Sequence, residues 1–225
     1  MTYLGTYRAV LSKDLRIELR SRETVVTLAF FAVVLALVFT FGFSADETTN
    51  RMIFPGCLWA IVLFAGTLAT GRTFAREARE GAFQALVLSP AHRGALLAAK
   101  TTLNFGLSLF VMLIAAPLLA VLLRVDATPH LLELGVQLVL GALGFALVGT
   151  PLAVVAVHAR FAEVLLPMLV FPLVTPVIIG GVAATAGTLG TTPDQDIGPW
   201  IQLLLAFDVV YGVGGQLVFD QMVTE

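Results

Sequence analysis

The stretch TVVTLAFFAVVLALVFTFGFSA, residues 24–45, decides the fold class because it runs for 22 residues without a charged side chain. About 20 apolar residues in a helix cross a hydrocarbon core of about 30 Å. A helix also satisfies its backbone hydrogen bonds within the segment, as lipid requires. The stretch therefore predicts a transmembrane helix. It is longer than the apolar part of a typical signal peptide, so we expect it to be retained.

Further apolar runs follow along the whole chain, which is 58% hydrophobic and only 12% charged. Soluble domains are about 25% charged, so this composition predicts that lipid surrounds most of the molecule. The runs predict an all-α integral membrane protein with six transmembrane helices, at about residues 24–45, 52–71, 101–123, 134–157, 164–187 and 198–219. The fifth run continues to residue 193, so we expect part of 180–193 to be re-entrant or interfacial.

The segment ahead of the first span, residues 4–22, has a different character. Apolar side chains recur there at steps of three or four, and charged residues that include Asp14 occupy the other faces. This pattern predicts an amphipathic helix lying on the membrane, with its basic residues towards anionic lipid. An ordinary surface helix is the alternative.

The distribution of Lys and Arg predicts the orientation in the membrane. Eleven of the 13 basic residues lie in the N-terminal segment, around residues 72–100 and at residue 160, and the opposite side has only Arg51 and Arg124. Cytoplasmic loops carry the excess of basic residues. The sequence therefore predicts that both termini and the 72–100 region are cytoplasmic.

A charged segment, residues 72–90 with the sequence RTFAREAREGAFQALVLSP, separates the second and third spans. Its pattern predicts a helix over residues 72–88, which Gly81 can bend and Ser89-Pro90 ends. An amphipathic helix between two spans can pass a push from a cytosolic partner into those spans. A solvated loop helix with no partner is the alternative.

This charged segment resembles the cytoplasmic coupling helix of ABC-2 type exporter permeases, whose signature ends in Leu-Leu-Ser-Pro. The resemblance implies one ABC-2 type permease domain over residues 1–225. Gln84 stands where the family usually has Glu, so a salt bridge there is replaced at most by a hydrogen bond. By this resemblance, the residues that couple the chain to an ATPase subunit are Arg76, Glu77, Arg79, Glu80, Gly81, Phe83, Gln84, Leu86, Leu88, Ser89 and Pro90.

Further motifs narrow the resemblance. PGCLW at residues 55–59, AAK at 98–100 and LPMLVFPLVTP at 166–176 are similar to the haem exporter protein B family (CcmB) over residues 4–179. The family implies a subunit of the bacterial cytoplasmic (inner) membrane that couples ATP hydrolysis by a partner to haem handover, or to release of a haem-loaded chaperone. The implied partners are cytosolic ABC ATPase subunits and a haem-handling membrane subunit, with a second copy of the chain as a further candidate.

No motif in the chain itself indicates catalysis or nucleic-acid binding. There is no G-x-x-x-x-G-K-[ST] phosphate loop, no H-E-x-x-H and no G-x-S-x-G, and Cys57 is the one cysteine. We therefore expect no enzyme activity from this chain alone and no metal site. ATP is expected to act through the partner, and haem to be held by the partner subunit.

Two other functions remain open at this stage: an ABC-2 permease that exports a lipid, polysaccharide or drug, and a membrane scaffold subunit that transports nothing. The spans show no polar lane in the sequence. A mechanical action on the haem-handling partner therefore stays open beside conduction of haem through this chain.

Three prolines of the fifth span and one acid of the sixth also invite a functional interpretation. Pro167, Pro172 and Pro176 predict a kinked or broken helix, either for flexing during transport or as a static bend. Asp208 predicts an intramembrane polar contact, facing the bundle interior and a second subunit, or else a position at the outer interface. No Lys or Arg lies within the predicted spans to pair with it.

The three histidines, at positions 92, 130 and 158, lie in different predicted loops. They are far apart in sequence, and His130 is expected on the opposite side of the membrane from the other two. Haem iron needs an axial ligand close to the porphyrin. The sequence therefore does not favour haem ligation by these histidines.

Overall fold

The computed structural model describes residues 2–43, 46–80, 93–156, 161–192 and 196–222, and within these ranges it contains helices and no strand. The expectation of an all-α fold is confirmed for this part of the chain. A short 3-10 turn, Thr128–His130, lies directly before the helix that begins at Leu131. The helices are α1 Tyr3–Ser21, α2 Glu23–Gly42, α3 Glu47–Glu80, α4 Arg93–Leu122, α5 Leu131–Ala156, α6 Ala162–Thr188 and α7 Gly198–Met222.

Helices α2 to α6 each contain a stretch that is long and apolar enough to cross a membrane. Helix α7 is 25 residues long but is not among these five when the described residues are searched. A sixth crossing therefore stays a prediction. Helix α6 continues unbroken to Thr188, so there is no re-entrant break before that residue, and an interfacial position for part of residues 180–193 stays a prediction.

A single residue joins α1 to α2. Arg22 adopts a left-handed conformation, with φ 53°, and its backbone N–H donates to the carbonyl of Glu18. A left-handed residue in this position is a common way to end a helix, because it satisfies one of the last free carbonyls. The joint lies where the sequence predicts the boundary between the amphipathic helix and the first span.

Helix α4 packs against α1, α2, α3, α5 and α7, and its neighbour α5 packs against α3, α4, α6 and α7. The sequence of α5 allows this because small residues such as Gly141, Gly144 and Gly149 let neighbouring helices approach closely. Helix α2 lies at the edge, and its large side chains Phe30 and Phe41 are exposed. In a bilayer these side chains would contact lipid rather than water.

The indole of Trp59 is completely buried where α3, α5 and α6 meet. It fits there because Gly141 of α5 and Gly181 of α6 lack side chains: a Cβ atom at either position would overlap the indole ring. The large ring and the two glycines therefore form one complementary contact that fixes three helices relative to one another.

A chain of hydrogen bonds continues from this indole. Trp59 Nε1 donates to Thr185 Oγ1 at 3.0 Å, Thr185 Oγ1 donates to Gln137 Oε1 at 3.0 Å, and Gln137 Nε2 donates to Thr188 Oγ1 at 2.7 Å. All four residues are buried. We call this the Trp59 network. Interhelical hydrogen bonds in membranes contribute about 0.6 kcal/mol each on average, so its main role is to fix the register of α3, α5 and α6.

The fit around Trp59 predicts that a single methyl group will destabilise the bundle. Gly181→Ala should lower the thermal unfolding temperature in detergent, because overpacking a core costs about 1–3 kcal/mol. Gly106→Ala is the matched control, since a Cβ atom there meets nothing within 4 Å. Trp59→Phe should partly rescue Gly181→Ala by removing the ring atoms that clash. Equal unfolding temperatures for Gly181→Ala and Gly106→Ala would contradict this account.

Candidate functional site

The first half of the charged segment is a direct continuation of the second span. Helix α3 has 34 residues and runs without interruption from Glu47 to Glu80. At 1.5 Å per residue it is about 51 Å long, against a hydrocarbon core of about 30 Å. The part after Gly71 therefore projects from the apolar stretch as a continuous helical extension.

Of the predicted coupling residues, four lie on this extension and seven do not fall in the part of the chain that the structure describes. Helix α3 contains Arg76, Glu77, Arg79 and Glu80. The remaining seven, Gly81, Phe83, Gln84, Leu86, Leu88, Ser89 and Pro90, belong to residues 81–92, which lie outside the described ranges. The predicted helix over residues 72–88 is thus confirmed to Glu80, and the role of all these residues in coupling stays a prediction.

The start of α4, which follows the charged segment, carries the N-terminal helix. Val10 of α1 packs with Leu96 and Ala99 of α4 in a small apolar cluster separate from the main core. The hydroxyl of Tyr7 hydrogen-bonds the hydroxyl of Thr102 at 3.1 Å. Helix α1 therefore docks on the bundle along one face, while Leu4 and Leu19 on other faces remain exposed.

A buried ion pair lies in the same contact. Lys100 Nζ is 2.7 Å from Asp14 Oδ2, and the two side chains are 4% and 7% exposed. The sequence-based assignment was wrong for both residues, because Asp14 is not on a solvated face and Lys100 lies inside a helix rather than in a loop before the span. One signal is visible in the sequence: Asp14 follows Thr6 and Val10 at helical spacing, and these three form the buried stripe of α1.

The bundle interior is less uniformly apolar than the sequence suggests. Besides the Trp59 network, Asn104 Nδ2 of α4 donates to Thr150 Oγ1 of α5 at 3.0 Å. Ser108, one turn further along α4, is also buried. The expectation that the spans hold no polar lane therefore needs correction: buried polar side chains occur, but those that bond one another serve to join helices.

The three prolines of the fifth span do not break it. Pro167, Pro172 and Pro176 all lie inside α6, which is assigned as one helix from Ala162 to Thr188. Neighbouring helices and local adjustments can satisfy the backbone groups that a proline leaves free in a membrane helix. The helix is therefore not broken at these prolines, and a kink, whether static or flexing during transport, stays a prediction.

Asp208 lies in α7 on the side that faces α5. Its side chain is 7% exposed, and a Cβ atom added at Gly144 would lie 2.7 Å from its Oδ1. Neither carboxyl oxygen has a hydrogen-bond partner within the described ranges. Asp208 therefore faces the bundle interior, and its depth in the membrane stays a prediction. Lys100, which is also buried, pairs with Asp14.

Only one of the three histidines falls within the described ranges. His130 is on the 3-10 turn before α5, with Nδ1 3.3 Å from Glu133 Oε2. His92 and His158 lie outside the described residues. In the part of the chain that the structure covers, no three His, Cys, Asp or Glu side chains are grouped so as to hold a metal ion.

Comparison with known proteins agrees with this architecture. The family model described as "CcmB protein" matches residues 6–216. "Heme exporter protein B" of Rhodobacter capsulatus is 35% identical over 175 residues, which are 77% of this chain and 79% of that protein. The protein of the same name from Paracoccus denitrificans is 31% identical over 83% of this chain and 85% of its own length.

A third relative, "Heme exporter protein B" of Pseudomonas aeruginosa, is 29% identical over 205 residues, which are 90% of both chains. Together with the five apolar helices, these relatives support a multi-pass membrane protein. Because the family model covers nearly the whole sequence, the chain belongs to the CcmB family.

Proposed function

We propose that this chain is the membrane subunit of a haem exporter complex for cytochrome c maturation, and that a separate ATPase subunit drives it through the charged segment. Family membership and the name shared by the relatives support the haem assignment. The observation that carries the coupling proposal is the unbroken course of α3, from the apolar core to Glu80. A helix end of this kind can receive a force and deliver it to the bundle.

The route of that force follows from the contacts of α3. The helix that ends in the charged segment also holds Trp59, whose indole is fixed to α5 and α6 by packing and by hydrogen bonds. A displacement of Glu80 along or across the helix axis therefore acts on α5 and α6 together. In this proposal the ATPase subunits bind residues 72–90 on the cytoplasmic side, and ATP-driven closure moves α3.

A mechanical role fits the interior better than conduction of haem. The side chains at the centre, among them Trp59, Phe145 and Met112, are fully buried and close-packed. A shallow surface pocket of about 460 Å³ is lined by residues of α7 alone. We therefore propose that the chain remodels a haem-handling membrane subunit, which hands haem to its chaperone or releases the loaded chaperone.

In the proposed topology both termini and the charged segment are cytoplasmic, α7 is the sixth crossing, and α1 lies in the inner interface. Eleven basic residues on one side and two on the other support this orientation. On the opposite side, Asp46 and Asp126 accept hydrogen bonds from the hydroxyls of Thr49 and Thr128, both at 2.6 Å. Those bonds lower the pKa of each carboxyl, which favours its negatively charged form in both loops.

Reversing a charge at the end of α3 should disrupt the ATPase contact. Glu80→Lys is expected to reduce copurification of the ATPase subunit with the tagged chain several-fold, because it inverts a charge on the proposed docking helix. Glu47→Lys makes the same change at the other end of the same helix, on an exposed residue, and should retain the ATPase. Absorbance spectra of the same preparations report whether a haem-bearing subunit is present.

Absence of both ATPase and haem-bearing subunit from the unsubstituted preparation would reject the exporter proposal. Retention of the ATPase by Glu80→Lys would favour a scaffold without coupling through this segment. Copurification of an ATPase with no haem absorbance would instead favour export of another substrate class.

The orientation can be checked by thiol labelling on spheroplasts in a Cys57→Ala background. Glu47→Cys is expected to react with a membrane-impermeant maleimide in intact spheroplasts, and Arg93→Cys only after permeabilisation. These residues begin α3 and α4, which start at opposite ends of the bundle if α3 crosses once. The reverse labelling pattern would contradict the cytoplasmic placement of the charged segment.

We further propose that Asp208 is a polar contact within the bundle that a second subunit reaches when α7 moves from α5. Asp208→Asn is then expected to lower both complex assembly and holocytochrome c yield several-fold, since intramembrane acids are costly to retain without a role. Asp196→Asn, an exposed acid just before α7, should leave both unchanged. Assembly and yield equal to the unsubstituted chain for Asp208→Asn would contradict this role.

A further inference from the structure

The N-terminal helix α1 is fastened to the start of α4 by the Asp14–Lys100 ion pair. We propose that this pair is a positioning link that makes α1 move as one body with the start of α4, and so makes α1 part of the coupling apparatus. The existence of the link is independent of the exporter proposal. Its role in coupling rests on the proposed function, in which the ATPase acts through the charged segment.

The link is strong because both charges are buried. Lys100 lies within the apolar stretch of α4, with its side chain 4% exposed, and Asp14 is 7% exposed. Separating the helices would take the Asp14 carboxylate away from the buried Lys100 and leave Asp14 only the exposed Lys13, which is more costly than losing an exposed pair. The apolar cluster of Val10, Leu96 and Ala99 lies in the same contact and limits the access of water.

The geometry of α4 agrees with this pairing. Side chains on a helix are tilted towards its N-terminus, so the long Lys100 side chain is directed to the end of α4 that follows the charged segment. Lys100 is seven residues after the first residue of α4, about 10 Å along the axis. Tyr7 and Thr102 add a hydrogen bond in the same contact. The contact therefore holds the first part of α4. In the proposed function, this is the part that a force on the charged segment displaces.

The motion would continue beyond α1. Helix α1 connects to α2 through Arg22 alone, and α2 packs against α3 and α4. A shift of the start of α4 would thus carry α1 and, through the one-residue joint, the beginning of the first span. The charged segment would act on α3 at one end, and on α4, α1 and α2 at the other.

Lys13 provides the matched control for the pair. Its Nζ is 3.1 Å from Oδ1 of the same Asp14 carboxylate, but its side chain is 44% exposed. Exposed ion pairs contribute little to stability because water and salt compete for both partners. If burial of the Lys100 pair makes the link, removal of Lys13 should have little effect, although both lysines contact one carboxylate.

The link is tested by cross-linking full-length chain in membranes. Val10→Cys and Leu96→Cys, introduced together with Cys57→Ala, place thiols on facing sides of the α1–α4 contact. A short thiol-reactive cross-linker should join them. The cross-link is detected as a gel shift after the chain is cleaved between α1 and α4. Asp14→Asn and Lys100→Met should each lower the cross-linked fraction about tenfold, since each removes one member of the buried pair that joins the two helices.

The charge-swapped double variant, Asp14→Lys with Lys100→Asp, should restore cross-linking even if a single variant does not accumulate in the membrane. Lys13→Gln should cross-link like the parent. Undiminished cross-linking in Asp14→Asn or Lys100→Met would overturn the link. A double variant that fails to cross-link would also overturn it, since its charges match again.

The role in coupling is read from holocytochrome c yield and ATPase copurification in the same strains. The proposal expects both single variants to lose yield roughly as they lose cross-linking, while the ATPase still copurifies, and the double variant to regain it. Loss of cross-linking with full yield would overturn the coupling role. If Glu80→Lys has no effect on ATPase binding, coupling through the charged segment fails instead, and the cross-linking result still decides whether the link exists.

Discussion

The contact between the Trp59 indole and the two glycines that receive it holds the rest of this structure in place. The hydrophobic effect does not hold helices together within lipid, because lipid is as apolar as the side chains it would replace, so close packing and hydrogen bonds have to fix their register. Here a ring in α3 enters a slot formed by Gly141 and Gly181, and its N–H begins the hydrogen bonds to Thr185 and Gln137. Three long helices are thereby set at one register, and α4 and α7 are added around α5.

Two contacts of different chemistry join the helices of this bundle. The Trp59 network joins α3, α5 and α6 through neutral groups that satisfy one another. The Asp14–Lys100 pair joins α1 to α4 through charges. Both α3 and α4 adjoin the charged segment, one ending in it and the other beginning after it. Because α4 is also joined to α5 through Asn104 and Thr150, a force applied between α3 and α4 would reach both contacts.

The apolar runs predicted most of the helices, because the cost of exposing backbone polar groups in lipid is local and can be counted along the sequence. Pairings could not be predicted in that way. Trp59 and Thr185 are 126 residues apart, and only the folded bundle brings them together. The predicted third span begins after Lys100, at residue 101, because a charged residue ends an apolar run. In the structure Lys100 lies inside α4, where the carboxylate of Asp14 offsets its charge. The prediction for the fifth span counted only the local cost of a proline in a helix. Neighbouring helices reduce that cost for α6.

The length of α3 makes the protein sensitive to its bilayer. The helix is about 51 Å long, and only part of it fits a hydrocarbon layer of about 30 Å. Hydrophobic mismatch is relieved by tilting or by local deformation of the lipid, at a cost of fractions of a kcal/mol per Å. Since the same continuous helix carries Trp59 and the proposed docking residues near Glu80, the height at which those residues stand above the membrane would be set partly by acyl-chain length. Lipid thickness would then tune how readily a soluble partner reaches this subunit.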